Sequence, residues 1–532
     1  MKFVSALQGR ALVVACLLLT GAAGCGGDSD APGNDAGVND GGEPDAMTPP
    51  TALCRPGPYW MTERETVAID VLCPPAGDEV SGDAVTFANL PAGASYDAAS
   101  ARITWTPGLD QAAVWEITAE IADRGEATTF AVGVADAWDH ADNVPIVDRS
   151  KYPMEYGMPV FFLSPPPADP ENYENIVIVY GGETHHGGGK LRGASSLDFP
   201  KNSYTLEFPK AALFSEPERA GGFLDKHKIV LTSTFDDNSY VRQRLAFELW
   251  NRLDPGHVQV QSFMAVVYVE DEFRGLYTVT DHVDDDLMAQ QGLGGDGNLY
   301  KTVSHDANFG LKRHDGRAKA ALSEGYEKKS GDPEVGPDAF ADLEELIRFV
   351  NEADDATFAA EIGTRIDLGD YMDWLVLITF LAADDNAGKN TYHYHGLDAA
   401  WRVIPWDFNA TSGQDWMTVR RSVEDVGYYE SYNRLFERFL AIEALRTELE
   451  QRYRAVLDSV LSVPEVYEVI DEILAGIDPA VLARDQARWR AEYESFERWD
   501  QRTDFTTHAE EVSYVRSWLA ERWDILSELH SE

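Results

Sequence analysis

Residues 381–409 read LAADDNAGKNTYHYHGLDAAWRVIPWDFN, and two acidic points frame them. Asp384 and Asp385 adjoin at one end, Asp407 stands at the other, and Asn390 lies between. The aromatic run around Tyr392 to Tyr394 alternates as a strand does, and the apolar run Trp401 to Trp406 leads straight into Asp407. Strand, turn, strand and then a carboxylate sets that Asp at the mouth of a cleft. The layout suits a metal ion and a polyphosphate.

Working outward, the chain has 532 residues, too many for one ordinary core, so more than one folded unit is expected. With 44% hydrophobic and 11% aromatic residues, 13 of them Trp, there is ample material to bury. Lys and Arg number 44 against 91 Asp and Glu, a formal charge of -47. This charge argues against a nucleic-acid partner, because phosphate backbones require a basic footprint.

At the N-terminus Lys2 and Arg10 precede an apolar run, Ala11 to Leu19, too short for a mature membrane span. Ala22-Ala23-Gly24-Cys25 resembles a bacterial lipoprotein signal, which implies lipidation of Cys25, loss of residues 1–25 apart from that Cys, and a membrane contact through the lipid anchor only. Ala22 departs from the Leu this pattern prefers, and plain secretion is the alternative. Residues 26–53 are dominated by Gly, Asp, Ala, Asn and Pro and bury too little to offset their ordering entropy, so they are expected to be a disordered tether. In an exported chain Cys54 and Cys73, 19 residues apart, are expected to form a disulfide, since zinc would need two further ligands.

Residues 54–140 carry short alternating runs, TVAIDVL, AVTFANL, ARITWTP, VWEITAEIA and TTFAVGV, which predict a small all-β sandwich. Leu90-Pro91, Asp97 and Trp105-Thr106-Pro107 resemble the immunoglobulin-like (Ig-like) domains of bacterial surface proteins, implying a spacer with Trp105 in its core. A second unit, residues 144–530, mixes strands (IVIVYGG, SYTLEF, KIVLTST, MAVVYVE, LYTVTDH) with helices at Tyr240 to Arg252 and from Leu343 onward. It reads as α+β with a helical C-terminal half.

Two glycine-rich stretches are not phosphate loops. Gly292-x-Gly294-x-x-Gly297 follows a helix and precedes a strand, the reverse of a dinucleotide fingerprint. Gly187-Gly188-Gly189-Lys190 lacks the Ser or Thr and the upstream Gly of a Walker A loop. The stretch after it, LRGASSLDFPKNSYTLEF, is more informative. Lys201 enters a strand with Tyr204, Leu206 and Phe208 on one face, and a Lys so placed can aim its ammonium into a cleft as a kinase strand Lys does.

RGASSLDFPKNSY, FDDNSYVRQRLAFELW, VVYVEDEFRGLYTVTDHV, GNLYK, IDLGDYMDWLVLITFLAADDNAGKN and VIPWDFN occur in that order over residues 180 to 525. Together they resemble the CotH-like kinases, relatives of spore coat protein H. The resemblance implies an atypical protein-kinase-like fold, ATP with Mg²⁺ or Mn²⁺, and transfer of the γ-phosphoryl to a hydroxyl of an exported protein. It makes Asp407 a metal ligand and one Asp of the 384/385 pair the catalytic residue. Asp385 stands five before Asn390, the separation of base and metal-binding Asn in protein kinases, and is preferred to Asp384. Asn390 is then a second metal ligand, and Arg192, Lys201 and Lys301 are phosphate candidates.

Arg242 is expected to pair with Asp237 or to touch the nucleotide. Asp281 replaces the Glu usual in the family, which puts a pairing with the strand Lys in doubt. His185-His186 and His393-x-His395 lack a zinc-site pattern. Asp485 to Trp489 resembles a recurring family segment to which no chemistry is assigned. A catalytically silent adhesin or structural lipoprotein, and phosphoryl or nucleotidyl transfer to a small molecule or glycan, are the alternative functions.

Overall fold

The structure, a computed structural model, describes residues 52–531 except 55, 57, 75–79, 109–110, 112, 136–148, 271, 426–428, 498–500 and 505–506. The expected signal segment, Cys25 and most of the tether lie outside the described residues. Seven short strands come first: β1 (Tyr59–Thr62), β2 (Val67–Asp70), β3 (Val85–Ala88), β4 (Ser95–Asp97), β5 (Arg102–Trp105), β6 (Ala113–Ile121) and β7 (Glu126–Ala135). They form two sheets, in the orders β1-β7-β6-β3 and β2-β5-β4. Alternation puts Ile69, Ile103, Trp105, Ile117, Phe130 and Val132 into one shared core, and Trp105 is 1% exposed. Cys54 and Cys73 are joined by a disulfide.

Next come β8 (Met154–Glu155), β9 (Met158–Ser164), β10 (Glu174–Tyr180), β11 (Glu183–Arg192), β12 (Ser203–Glu207), β13 (Lys228–Thr232), β14 (Ser262–Val269) and β15 (Glu272–Asp281). They run in the order β10-β11-β12-β13-β15-β14-β9-β8, and a further β9 to β10 pairing closes seven of them into a barrel. Closure removes the free edges and gives a side-chain-filled interior. Tyr204, Leu206 and Phe208 all point inward, as their alternation predicts, with Phe161, Ile178, Ile229, Phe263 and Val279. The glycine run of β11 is strand, not loop: a Cβ on Gly187 would lie 2.2 Å from the Glu207 carbonyl oxygen, and one on Gly189 2.5 Å from Ile176.

Helix α1 (Arg242–Leu253) interrupts the barrel strands, and α2 (Asp285–Gln290) follows β15. A separate sheet, β17-β16-β18-β19, is built from β16 (Asn298–Thr302), β17 (Tyr326–Ser330), β18 (Thr391–His395) and β19 (Arg402–Pro405). Around it stand α3 (Ala341–Glu352), α4 (Asp355–Arg365), α5 (Leu368–Leu381), α6 (Tyr429–Tyr432), α7 (Arg434–Ala441), α8 (Glu443–Leu457), α9 (Val463–Ala475), α10 (Pro479–Glu494) and α11 (His508–Leu529). The class is α+β with a helical C-terminal half. Helix α5 is apolar nearly all round and almost wholly buried, so it is the axis of the large core shared with α1, α7, α8, α9 and α11.

Gly292 and Gly294 lie in the turn between α2 and β16, with φ of 78° and 76°. The expected strand, turn, strand and carboxylate is present as β18, residues 396–401, β19 and Asp407.

Candidate functional site

Helix α5 ends at Ala382, whose φ of 50° turns the chain out of the helix and into a single 3-10 turn, Asp384–Asn386. The turn separates the two aspartates. Asp384 faces Arg421, 2.8 Å away. Asp385 faces inward, where it accepts from Lys389 Nζ at 2.8 Å and Asn390 Nδ2 at 3.1 Å and lies 3.1 Å from His305 Nε2. Burial alone would raise the Asp385 carboxyl, but His305 and Lys389 outweigh it and hold it down to about 2. For Asp384 burial prevails over Arg421, and its carboxyl is raised.

Asn390 donates its amide N–H to Asp385, and no donor among the described residues reaches its Oδ1. Asp407 follows β19 at φ 63°, and Asn390 precedes β18 at φ 57°. Left-handed backbone costs a non-glycine residue on the order of 1 kcal/mol, and Asn and Asp tolerate it best. One amide ties the two segments: Asn386 Nδ2 donates to the Trp406 carbonyl at 2.6 Å and to the Asn390 carbonyl at 3.3 Å. Trp406 N–H returns a bond to the Asn390 carbonyl at 2.9 Å.

The Asp407 carboxylate has no hydrogen bond or ion pair among the described residues. Burial raises its pKa; the positive charges of Arg192, Lys301 and Lys389 work against that, and the negative charge of Asp385 adds to it. Arg192 lies with its guanidinium 5.1 Å over the Trp406 ring and has no carboxylate partner among the described residues. Lys301, on β16, is likewise without an ion pair, 5.8 Å over Tyr392. Burial, then the charges of Arg192 and Lys329, bring its ammonium down to about 8. Two cations and a carboxylate thus share one place without neutralising one another by contact.

Asp236 stands beside them, hydrogen-bonded to the side chain of Asn409. Burial and the charges of Asp407 and Asp237 push it up to about 6 despite that bond.

Lys201, Asp281 and Arg242 each have partners within the protein, and Arg242 makes the expected pair with Asp237. Lys201 is 1% exposed, and its ammonium donates to Asp485 at 2.7 and 3.0 Å and to the Leu276 carbonyl at 2.8 Å. Asp485 also accepts from Leu276 N–H and Tyr240 Oη, which fastens α10 to β15. A Cβ at Gly275, φ 103°, would fall 1.7 Å from Asp485 Oδ1, so only glycine admits this carboxylate.

Asp281 pairs with Lys226 at 2.9 Å rather than with Lys201. Arg242 is completely buried and holds Asp237 and Glu511, each at 2.6 Å, and the Thr411 carbonyl at 3.0 Å. It sets the chain just after Asp407 and touches no cleft. Of the histidines, His393 is buried against Tyr371, Phe309 and Trp374, and burial takes it down to about 3. His395 stacks on Trp401 and reaches Asp342 at 2.7 Å.

Sequence reasoning missed Asp485, Asn386, Asp236, His305 and Lys389. Asn386, Lys389 and Asp236 lie inside quoted motif segments and Asp485 opens the Asp485 to Trp489 segment, but none of these was given a role. His305 reaches Asp385 from a loop some eighty residues upstream, which no local pattern announces.

The oxygens present fit a hard divalent cation: an unpartnered carboxylate in Asp407 and an unpartnered amide oxygen in Asn390, beside cations fit for phosphate oxygens. The family model described as CotH kinase protein matches residues 190–526. The chain is also 29% identical over 293 residues to the inner spore coat protein H of Bacillus subtilis (strain 168), covering 55% of this chain and 76% of that protein. With more than half its length matched, the chain belongs to the CotH kinase protein family.

Proposed function

We propose that the chain is a metal-dependent atypical kinase that transfers the γ-phosphoryl of ATP to a hydroxyl of an exported protein. One observation carries this reading: Asp407, the Asn390 oxygen, Arg192 and Lys301 converge without partners, while Asp385 beside them is fully held. Asp407 and Asn390 Oδ1 would hold Mg²⁺ or Mn²⁺, which supplies charge neutralisation on the phosphate oxygens. Arg192 and Lys301 bind the remaining phosphate charge. Asp385 accepts a hydrogen bond from the incoming hydroxyl and orients it. As the hydroxyl oxygen bonds to the γ-phosphorus and the bond to the ADP oxygen breaks, the hydroxyl proton passes to Asp385.

A carboxyl near pKa 2 is a weak base. In a loose transition state the proton leaves late, so orientation matters more than basicity. Lys389 and His305 keep Asp385 in that orientation. In this reading the barrel and the helical half correspond to the two parts of a kinase-like fold, the buried pair of Lys201 and Asp485 corresponds in type to the strand Lys and its carboxylate partner in protein kinases, and the N-terminal β-unit is an Ig-like spacer. Attachment to a membrane through a lipid on Cys25 rests on the sequence pattern alone.

The test is incubation of the purified mature protein with γ-labelled ATP and Mg²⁺ or Mn²⁺, beside Asp385→Ala and Asp407→Ala. Label transfer that both variants lose is expected. Absence of transfer together with absence of any nucleotide-induced thermal shift sinks the reading, and label from α-labelled ATP redirects it to nucleotidylation.

A further inference from the structure

Away from the cleft, the first turns of α3, the end of α4 and the β18–β19 hairpin enclose a cavity of about 170 Å³. A cavity of about 150 Å³ can hold benzene, so this one has room for a six-membered ring. It stands at the opposite end of β18 from Asn390, since His395 closes that strand five residues on, ~16 Å at the rise of a strand. Glu345, Thr364 and Ala399 at its rim are exposed, which leaves it open to solvent. The frame is tied together by backbone: Trp401 N–H donates to the Arg365 carbonyl and Asp367 N–H to the Trp401 carbonyl, each at 2.8 Å.

The inner wall is built around Asp342. Its carboxylate accepts from Tyr300 Oη at 2.6 Å, His395 Nδ1 at 2.7 Å, Asn298 Nδ2 at 2.8 Å and Leu343 N–H at 2.9 Å. Burial would raise this carboxyl, but those bonds outweigh it and hold it down to about 2. An ionised carboxylate only accepts, so Nδ1 of His395 carries the proton, and in the neutral ring Nε2 is an acceptor. That Nε2 has no partner among the described residues, and the ring lies flat on Trp401 with centroids 4.4 Å apart. Arg365, in the same wall, has the opposite need. Its Nε–H is buried with no acceptor among the described residues, while its charge is already answered by Glu345 at 3.4 Å and Glu361 at 3.5 Å.

The formal charges of this wall are thus paired, and an ionic ligand finds no unmatched counter-charge. What remains is one donor and one acceptor beside the apolar surface of Leu346 and Trp401. Hydroxyls answer both needs, because each donates and accepts. A carbon ring that carries several of them answers the apolar surface as well.

We propose that this cavity binds a neutral, hydroxyl-rich ring of the size of a monosaccharide, its hydroxyls accepting from Arg365 Nε and donating to His395 Nε2. The site is separate from the phosphate cleft and does not rest on the kinase reading. Each such hydrogen bond is worth about fivefold in affinity.

The test is a titration, read by saturation-transfer NMR, of glucose, galactose and mannose, each beside its methyl glycoside, and of acetate and glycine. It is run on the full chain, Arg365→Met, His395→Phe and Ala399→Trp. Methionine keeps a stem over Phe349 and removes the donor. Phenylalanine keeps the stack on Trp401 and removes the acceptor, and tryptophan at the rim fills the mouth. The expected result is binding of at least one of these hexoses, weakened about fivefold in Arg365→Met and in His395→Phe and abolished in Ala399→Trp. A glycoside that binds as its free sugar does identifies the end of a glycan as the source of the ligand, whereas binding of the unsubstituted sugar alone identifies a free sugar. No binding of any sugar, binding that Ala399→Trp retains, or acetate or glycine bound more tightly than every sugar overturns the assignment, and none of these touches label transfer in the cleft. Melting curves without ligand separate lost binding from lost folding, and Ala399→Trp, at an exposed position, decides the matter if either of the other variants does not fold.

Discussion

Two charged groups of this molecule look alike in sequence and differ in the fold. At Lys201 the charge is matched: Asp485 takes two contacts, the Leu276 carbonyl a third, and the carboxylate is itself completed by Leu276 N–H and Tyr240. At Asp407 nothing is matched, and Arg192 and Lys301 stand nearby without ion pairs. A buried charge whose partners all come from the protein holds the protein together. A half-buried charge left without them costs stability and is kept for something that arrives later.

The largest test of that contrast is chemical. Asp385→Ala and Asp407→Ala are expected to lower label transfer by on the order of a thousandfold while melting as cooperatively as the parent chain; a variant that keeps transfer within tenfold takes its residue out of the chemistry. Next in size is the satisfied pair. Asp485→Ala leaves the Lys201 ammonium buried and alone, and should cost about 3–5 kcal/mol in urea unfolding, with Lys201→Met/Asp485→Leu recovering most of it. Equal damage in the single and double variants would show that packing, not charge, fastens α10.

A third test uses pH. Glu511 bonds Arg242 and Arg420; burial would raise its carboxyl, but those partners hold it down to about 2, below its ordinary value of 4.5. The folded state therefore binds this proton less readily than the unfolded state. Its contribution is complete above about pH 4.5 and is lost as pH falls toward 2. Glu511→Gln should lower stability at pH 7 and flatten the acid limb of the stability curve, and an unchanged limb would assign acid unfolding to other carboxylates. The smallest effect runs the other way. Burial and Asp385 both disfavour the Asp407 charge, so Asp407→Asn is expected to raise ligand-free stability by about 1 kcal/mol, about one degree in melting temperature for a chain of this size, while abolishing the Mg²⁺-ATP thermal shift.

The sequence made the barrel interior legible wherever apolar residues alternate, as at Tyr204, Leu206 and Phe208, and it made the β18, turn, β19 and Asp407 succession legible because its apolar run ends in a carboxylate. It could not say that Lys201 would be enclosed. The carboxylate that encloses it is 284 positions away, on a helix whose only mark was a short motif without evident chemistry. Asp281 was the nearer guess, and it was taken by Lys226. The glycine run of β11 was separable from a phosphate loop by its missing residues, yet its role in letting strands and Tyr173 close up depends on neighbours that only the fold supplies. Local pattern shows what an element is; the partner of a charge is a property of topology.

The Asn386 side chain holds the carbonyls of Asn390 and Trp406 together. It works as a length gauge. Between Asp385 and Asn390 the chain has room for four residues, and between Asn390 and Asp407 a hairpin brings the ends back to the same amide. The hairpin tip, residues 396–400, is free to grow or shrink without altering the gauge, because strand pairing below it absorbs the change. One residue added between Asn386 and Asn390 has no such buffer and moves the base and the metal ligand out of step. Tolerance to insertion along this stretch should therefore be sharply uneven, high at the tip and nil in the turn.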